Sequence, residues 1–267
     1  MNETPLLNLR GVSVTFTRPD GISRVRALPG VADLDLDLPA GEILSIVGAS
    51  GSGKSMLAEA VLGLLPRNAT LTGEVRYRGE PLDQDRLERL RGAKISYIPQ
   101  SVRNLDPLMT VGAQVRIGLD SATAGEQQQA LFARYGLSPD VARQYPFQLS
   151  GGMLRRVLFA TSIRDGVELV VADEPTPGLH EGAVDEILGH LQEIAAAGAS
   201  VLLITHDIFA ALRVSQQVAV MQQGRLVTTE SAAAFHGGGE ELQHPFAREL
   251  WRALPQNAFA APQKEQP

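Results

Sequence analysis

The chain has no cysteine among its 267 residues. This excludes disulfides, thiol nucleophiles and cysteine-ligated metals. No stretch approaches the roughly 18 consecutive apolar residues of a membrane-spanning helix, so any membrane role would be exercised from the surface, through a partner. The opening residues, MNETPLLNLR, lack a basic segment followed by an apolar one, and no signal peptide is visible. Positive charge is not in excess either. With 24 Lys and Arg against 30 Asp and Glu, the net charge of -6 argues against a general nucleic-acid-binding surface. The histidines at 180, 190, 206, 236 and 244 show no ligand spacing, so no histidine metal site is expected. No internal repeat is present.

Apolar residues make up 44% of the chain, enough for a sizeable core in one large domain or one domain with an inserted subdomain. Val12–Phe16 alternates and reads as a strand, Arg18-Pro19-Asp20-Gly21 as a turn, and Asp33–Leu38, with its alternating acids and leucines, as a half-buried antiparallel strand. Residues 42–47 form a mostly apolar run that suits a buried strand. Ser55–Leu65 has helical spacing and is expected to stop at Pro66. Strands are predicted at 75–78, 94–98, 168–172, 200–204, 218–222 and 225–228. Helices are predicted at 182–197 and 207–214, with a mainly helical block from about 110 to 159. Helices between strands imply crossover units and an α/β core, with the helical block as an inserted subdomain. Residues 256–267 are polar and proline-containing and are expected to be disordered.

Gly48-Ala-Ser50-Gly51-Ser52-Gly53-Lys54-Ser55 matches the phosphate-binding pattern G-x-x-x-x-G-K-[ST] in full, between a predicted buried strand and a helix. The glycines let successive N–H groups face one point, and the helix N-terminus adds partial positive charge there. Lys54 would reach the β- and γ-phosphates and Ser55 would hold Mg²⁺. A second strand should then end beside the metal, and Leu169–Ala172 runs into two adjacent carboxylates. Asp173 would hold Mg²⁺ and Glu174 would orient and deprotonate the attacking water.

Leu149-Ser150-Gly151-Gly152-Met153 stands shortly before that acidic strand, and Thr205-His206-Asp207 follows the next apolar run. Together with the P-loop these resemble, in order, the motifs of ATP-binding-cassette (ABC) ATPases, over residues 6 to 255. Met153 stands where the signature usually has Gln. The resemblance implies a P-loop NTPase cassette with a RecA-like core, an antiparallel β subdomain and an α-helical subdomain inserted at about 101–160. It also implies roles. Phe16 would stack on adenine, Gln100 would touch Mg²⁺ and the water and sense the membrane partner, and His206 would contact the γ-phosphate. Ser150, Gly151 and Gly152 would grip the ATP of a second cassette chain. ATP and Mg²⁺ are the implied cofactors. The implied partners are that second cassette, two transmembrane permease subunits and, indirectly, a substrate-binding protein, with no nucleic acid. The implied location is the cytoplasmic face of the inner membrane. A soluble repair or translation cassette, or a cassette that no longer hydrolyses, are the alternatives.

Family members usually continue past the glutamate as P-T-x-x-L-D. Here the run is Pro175-Thr-Pro-Gly-Leu-His180. Two readings stand: a tolerated surface substitution, or pairing with a different cassette chain that makes the two composite sites unequal. The stretch from Gln100 to Gln114 and His244-Pro245-Phe246 resemble the importer group for oligopeptides, dipeptides and nickel. Peptide-importing members often carry a C-terminal cysteine cluster, which this sequence lacks, and its Thr176-Pro-Gly-Leu179 and Ala253-Leu-Pro-Gln-Asn257 runs resemble cassettes for nickel or metal–metallophore complexes, with peptide import as the alternative.

Overall fold

The computed structural model describes residues 4–20 and 24–254. The first alternating segments form a long hairpin in which β1 (Leu7–Asp20) pairs antiparallel with β2 (Arg24–Leu38). The ladder runs from Leu7 opposite Leu38 to Asp20 opposite Arg24, so Arg18, Pro19 and Asp20 belong to the strand and not to the predicted turn. Proline is tolerated there because the second neighbour of β1 pairs only as far as Phe16, leaving Pro19 bonded on one side. Gly21 and the tail at 256–267 lie outside the described residues.

Next come β3 (Ile43–Val47) and α1 (Lys54–Leu62). This helix ends earlier than the sequence suggests, at Gly63, whose N–H bonds back to Ala60, so Pro66 is not the stop. There follow β4 (Ala69–Tyr77), β5 (Glu80–Pro81), α2 (Gln84–Leu90) and β6 (Ile95–Ile98). α2 is absent from the sequence reading. It is started by Asp83, whose carboxylate accepts from Arg86 N at 2.8 Å. The block predicted as helical is broken into α3 (Val111–Val115), α4 (Ala124–Arg134) and α5 (Gly151–Ser162), with short 3₁₀ turns opening at Pro139 and Pro146. The rest is β7 (Leu169–Asp173), α6 (Glu181–Ala196), β8 (Ser200–Thr205), α7 (Ile208–Leu212), β9 (Gln217–Gln222), β10 (Arg225–Ser231) and α8 (Pro245–Arg252).

Two sheets result. One is antiparallel, in the order β2-β1-β4-β5. The other has the order β10-β9-β3-β8-β7-β6, parallel except for β10 at its edge. The parallel strands are apolar on both faces, and alternate residues enter different cores. Leu44, Ile46, Leu169, Val171, Leu202 and Ile204 pack with α1 and the antiparallel sheet. Ile43, Val170, Ala172, Val201 and Leu203 pack with α5, α6 and the helical block. A third cluster joins Val47, Val218 and Val220 to α7 and α8. Within it Trp251 of α8 lies between Phe209 and Phe235. Buried Glu230 holds the start of α8 by accepting from Gln243 N and His244 N at 3.2 and 3.0 Å.

The two sheets are tied by Glu168, which receives the Tyr77 hydroxyl, Arg78 Nε at 2.7 Å and Lys94 Nζ at 3.0 Å. Burial raises the Glu168 pKa, but the three donors outweigh it and hold the carboxyl at about 2, below its ordinary 4.5. A depressed carboxyl stabilises the fold fully above the unfolded-chain value and loses that contribution as pH falls toward 2. Thermal unfolding between pH 5 and pH 2 should therefore show a midpoint that falls more steeply for wild type than for Glu168→Gln. Parallel curves would remove Glu168 from the acid response.

Candidate nucleotide-binding site

The parallel strands β3, β8, β7 and β6 all end at one edge of the sheet, with Val47 beside Thr205, Asp173 beside Ile204 and Ile98 beside Ala172. A cavity of about 1010 Å³ opens there. Its wall includes Gly48, Ser50, Gly51, Gly53, Lys54, Ser55, Gln100, Glu174 and His206, which gathers most of the predicted site into one place. Ser52 and Asp173 sit just behind the wall, each 4% exposed. The Ser52 hydroxyl is buried without a partner among the described residues.

The loop before α1 is seated by tight backbone packing. Lys54 Nζ donates to the carbonyls of Gly48 and Ala49 at 2.8 and 3.2 Å, curling the loop around its own lysine. The turn Gln223-Gly224 supports it from the next hairpin. Gly224 N donates to Ser52 O at 3.0 Å, and Gly224 O accepts from Ala32 N at 2.8 Å. A Cβ on Gly224 would stand 2.5 Å from the Gly30 carbonyl, so only glycine fits. Pro29, Gly30, Met56, Gln223, Gly224 and Leu250 also border the cavity and were not foreseen. The Gln-Gly turn was legible as a turn, but nothing in its sequence says which loop it supports.

Glu174 is 7% exposed and adopts a left-handed backbone, φ 46°, although it is not glycine. Such strain, about 1–3 kcal/mol, persists where the surroundings over-determine it. Here Glu174 N is held by Ile204 O at 2.8 Å, and its carboxylate pairs with His206 Nδ1 at 2.8 Å. Ser55 Oγ donates to Asp173 Oδ1 at 3.1 Å. Burial raises the Asp173 pKa, with help from the Glu174 and Glu59 charges, against the Ser55 hydrogen bond and Lys54. Burial likewise lowers the Lys54 ammonium, against the pull of the same carboxylates. Two carboxylates, Asp173 and Glu174, act on the Lys54 ammonium, and the Ser55 hydroxyl lies on Asp173; Ser55 and Asp173 are hard oxygen donors of the kind Mg²⁺ takes.

One residue expected at this chain's own nucleotide is not gathered at the cavity. Phe16 does not line the wall. It is half-buried against the first core, within 3.1 Å of a Cβ placed on Gly30. Ser150, Gly151 and Gly152 open α5 away from the cavity, with Ser150 accepting from Met153 N at 3.3 Å.

A family model described as ABC transporter matches residues 31–177. The oligopeptide transport ATP-binding protein OppD of Lactococcus lactis subsp. cremoris is 36% identical over 96% of this chain and 77% of its own length. OppD of Escherichia coli is 33% identical over 94% of this chain and 76% of its own. The chain belongs to the ABC transporter family. Among solved structures, the dimeric ABC transporter cassette MJ0796 superposes with a TM-score of 0.73 at 27% identity, covering 85% of this chain and 98% of that one. A post-hydrolysis state of MJ0796 bound to ADP and phosphate gives 0.73 at 26%, with the same coverage. This ABC chain is an ATPase whose hydrolysis is coupled to transport. Among its described residues no helix is long and apolar enough to cross a membrane.

His180 has a local role in this cassette. It is the N-cap of α6, and its Nδ1 accepts from Ala183 N at 3.3 Å. An imidazole thus does what the short polar residues preferred at this position do.

Two outcomes follow from this geometry. Gly224→Ala should lower stability by about 1–3 kcal/mol and weaken ATP binding, because the turn must move off Gly30 and so disturb its bond to Ser52 of the phosphate loop. Unchanged affinity in equilibrium dialysis would show that the turn does not hold the loop. His180→Ala should cost about 1 kcal/mol of stability, while His180→Asp should keep most of it. Equal loss in both, by denaturant titration, would dismiss the cap.

Proposed function

We propose that this chain is the ATP-hydrolysing subunit of an importer for oligopeptides. The carrying observation is one cavity that joins the phosphate loop to the Glu174–His206 pair. The chemistry follows from those groups. Lys54 and the loop N–H groups bind the β- and γ-phosphates and offset their charge. Ser55 and Asp173, with Gln100, would hold Mg²⁺, which neutralises phosphate charge when bound. The Glu174 carboxylate orients a water and accepts its proton, and His206 fixes that carboxylate through the 2.8 Å contact. His206 itself is largely exposed, with a side chain 61% accessible, free to meet a γ-phosphate.

In this reading the cassette spans 6–255, with about 101–160 as an inserted subdomain. Ser150, Gly151 and Gly152 complete the site of a second cassette, which is a different chain. Exposed Leu108, Ile117 and Phe147 in the helical block meet one of two permease subunits at the cytoplasmic face of the membrane. A substrate-binding protein delivers the cargo. Peptide cargo is preferred over nickel or a metal–metallophore complex because the relatives at 36% and 33% identity are oligopeptide transport proteins.

The test is Mg²⁺-dependent ATP hydrolysis by the purified chain and by Glu174→Gln, with binding of a fluorescent ATP analogue measured on both. Turnover should fall about 10²–10⁴-fold in the variant while binding persists. Equal turnover in the two would remove Glu174 as the base.

A further inference from the structure

α5 carries a buried charge that nucleotide chemistry does not use. Arg155 is 6% exposed. Burial holds its guanidinium below the ordinary arginine range, with no charged neighbour acting against it. A buried cation without a carboxylate is costly, and a leucine or methionine would fill the same volume without that cost. The partners of this one show where it acts. Nη1 donates to the main-chain carbonyl of Gln100 at 2.9 Å and to that of Pro99 at 3.4 Å. Nε is buried and has no partner among the described residues.

The three segments that meet at this guanidinium each serve the site differently. Gln100 borders the nucleotide cavity. α5 begins at the Ser150 cap, five residues before Arg155, or about 7 Å along the helix. On its other side Arg155 borders a cleft of about 110 Å³ with Leu179 and His180, from the loop that follows Glu174. A guanidinium nitrogen shared between two successive carbonyls holds a loop to a helix, which an apolar side chain cannot do.

We propose that Arg155 is a positioning residue that makes the start of α5 follow the Gln100 loop, so that nucleotide in one chain's cavity sets the helix end offered to the partner cassette. This rests on reading the cavity as the nucleotide site. It explains why a buried charge without a carboxylate partner among the described residues sits between α5 and the Gln100 loop. Loss of the guanidinium would leave binding in place and disconnect its consequence.

The test is hydrogen–deuterium exchange on the full chain with Mg²⁺ and a non-hydrolysable ATP analogue, at concentrations where light scattering shows a monomer. Wild type, Arg155→Met and Arg155→Lys are compared in peptides covering 48–55, 99–105 and 150–157. In wild type the analogue should slow exchange in all three. In Arg155→Met the 48–55 protection should persist while the 150–157 response falls about threefold or more. Arg155→Lys, which keeps a donor for one carbonyl, should respond in between and carries the test if the methionine variant does not fold. A wild-type-sized 150–157 response in Arg155→Met overturns the proposal. So does a wild type that protects 48–55 but not 150–157, which leaves the nucleotide reading intact. No protection of 48–55 in wild type overturns both.

Discussion

Everything at the site depends on the parallel pairing of β3, β8, β7 and β6. Because these strands run the same way and in register, their C-terminal ends fall in a row. Whatever residue follows each strand is therefore delivered to one edge. The glycine loop follows Val47, the Gln100 loop follows Ile98, Glu174 follows Asp173, and His206 follows Thr205. No long-range instruction is needed to assemble them. A one-residue slip in any ladder would turn its strand's alternate side chains into the wrong core, so the same apolar pattern that builds the cores also fixes the site.

The cores account for why that register is rigid, and the site shows what the rigidity sustains. Glu174 holds a left-handed backbone, Asp173 a pKa raised by burial, and Lys54 an ammonium depressed by burial. Each is unfavourable alone. They coexist because strand ends cannot relax without breaking ladders on both sides. The glycine at 224 does the corresponding service from the opposite direction, letting a hairpin turn press against the β2 backbone at Gly30 while its N–H bonds to Ser52 of the loop.

Much of this was legible in the chain. The apolar runs gave every parallel strand to within a residue or two, because burial on both faces leaves a continuous apolar signature. The phosphate loop and the acidic strand end were readable because their chemistry allows few residue types. Other features were not. The hairpin of β1 and β2 extends past Pro19, since an edge position excuses a missing N–H that sequence rules count as a break. The helical block is interrupted, since local periodicity does not reveal where prolines open short turns. The supporting residues Gly30, Met56 and Leu250 border the cavity through tertiary packing, and nothing local marks them.

The chain has a single tryptophan, and the fold places it well. Trp251 lies in α8 between Phe209 and Phe235, one residue after Leu250 on the cavity wall and in the same cluster as Ile208, two residues beyond His206. An indole so placed makes the protein its own optical probe. Its emission arises from one position, needs no label, and is tied by packing to the segment that carries the histidine of the site.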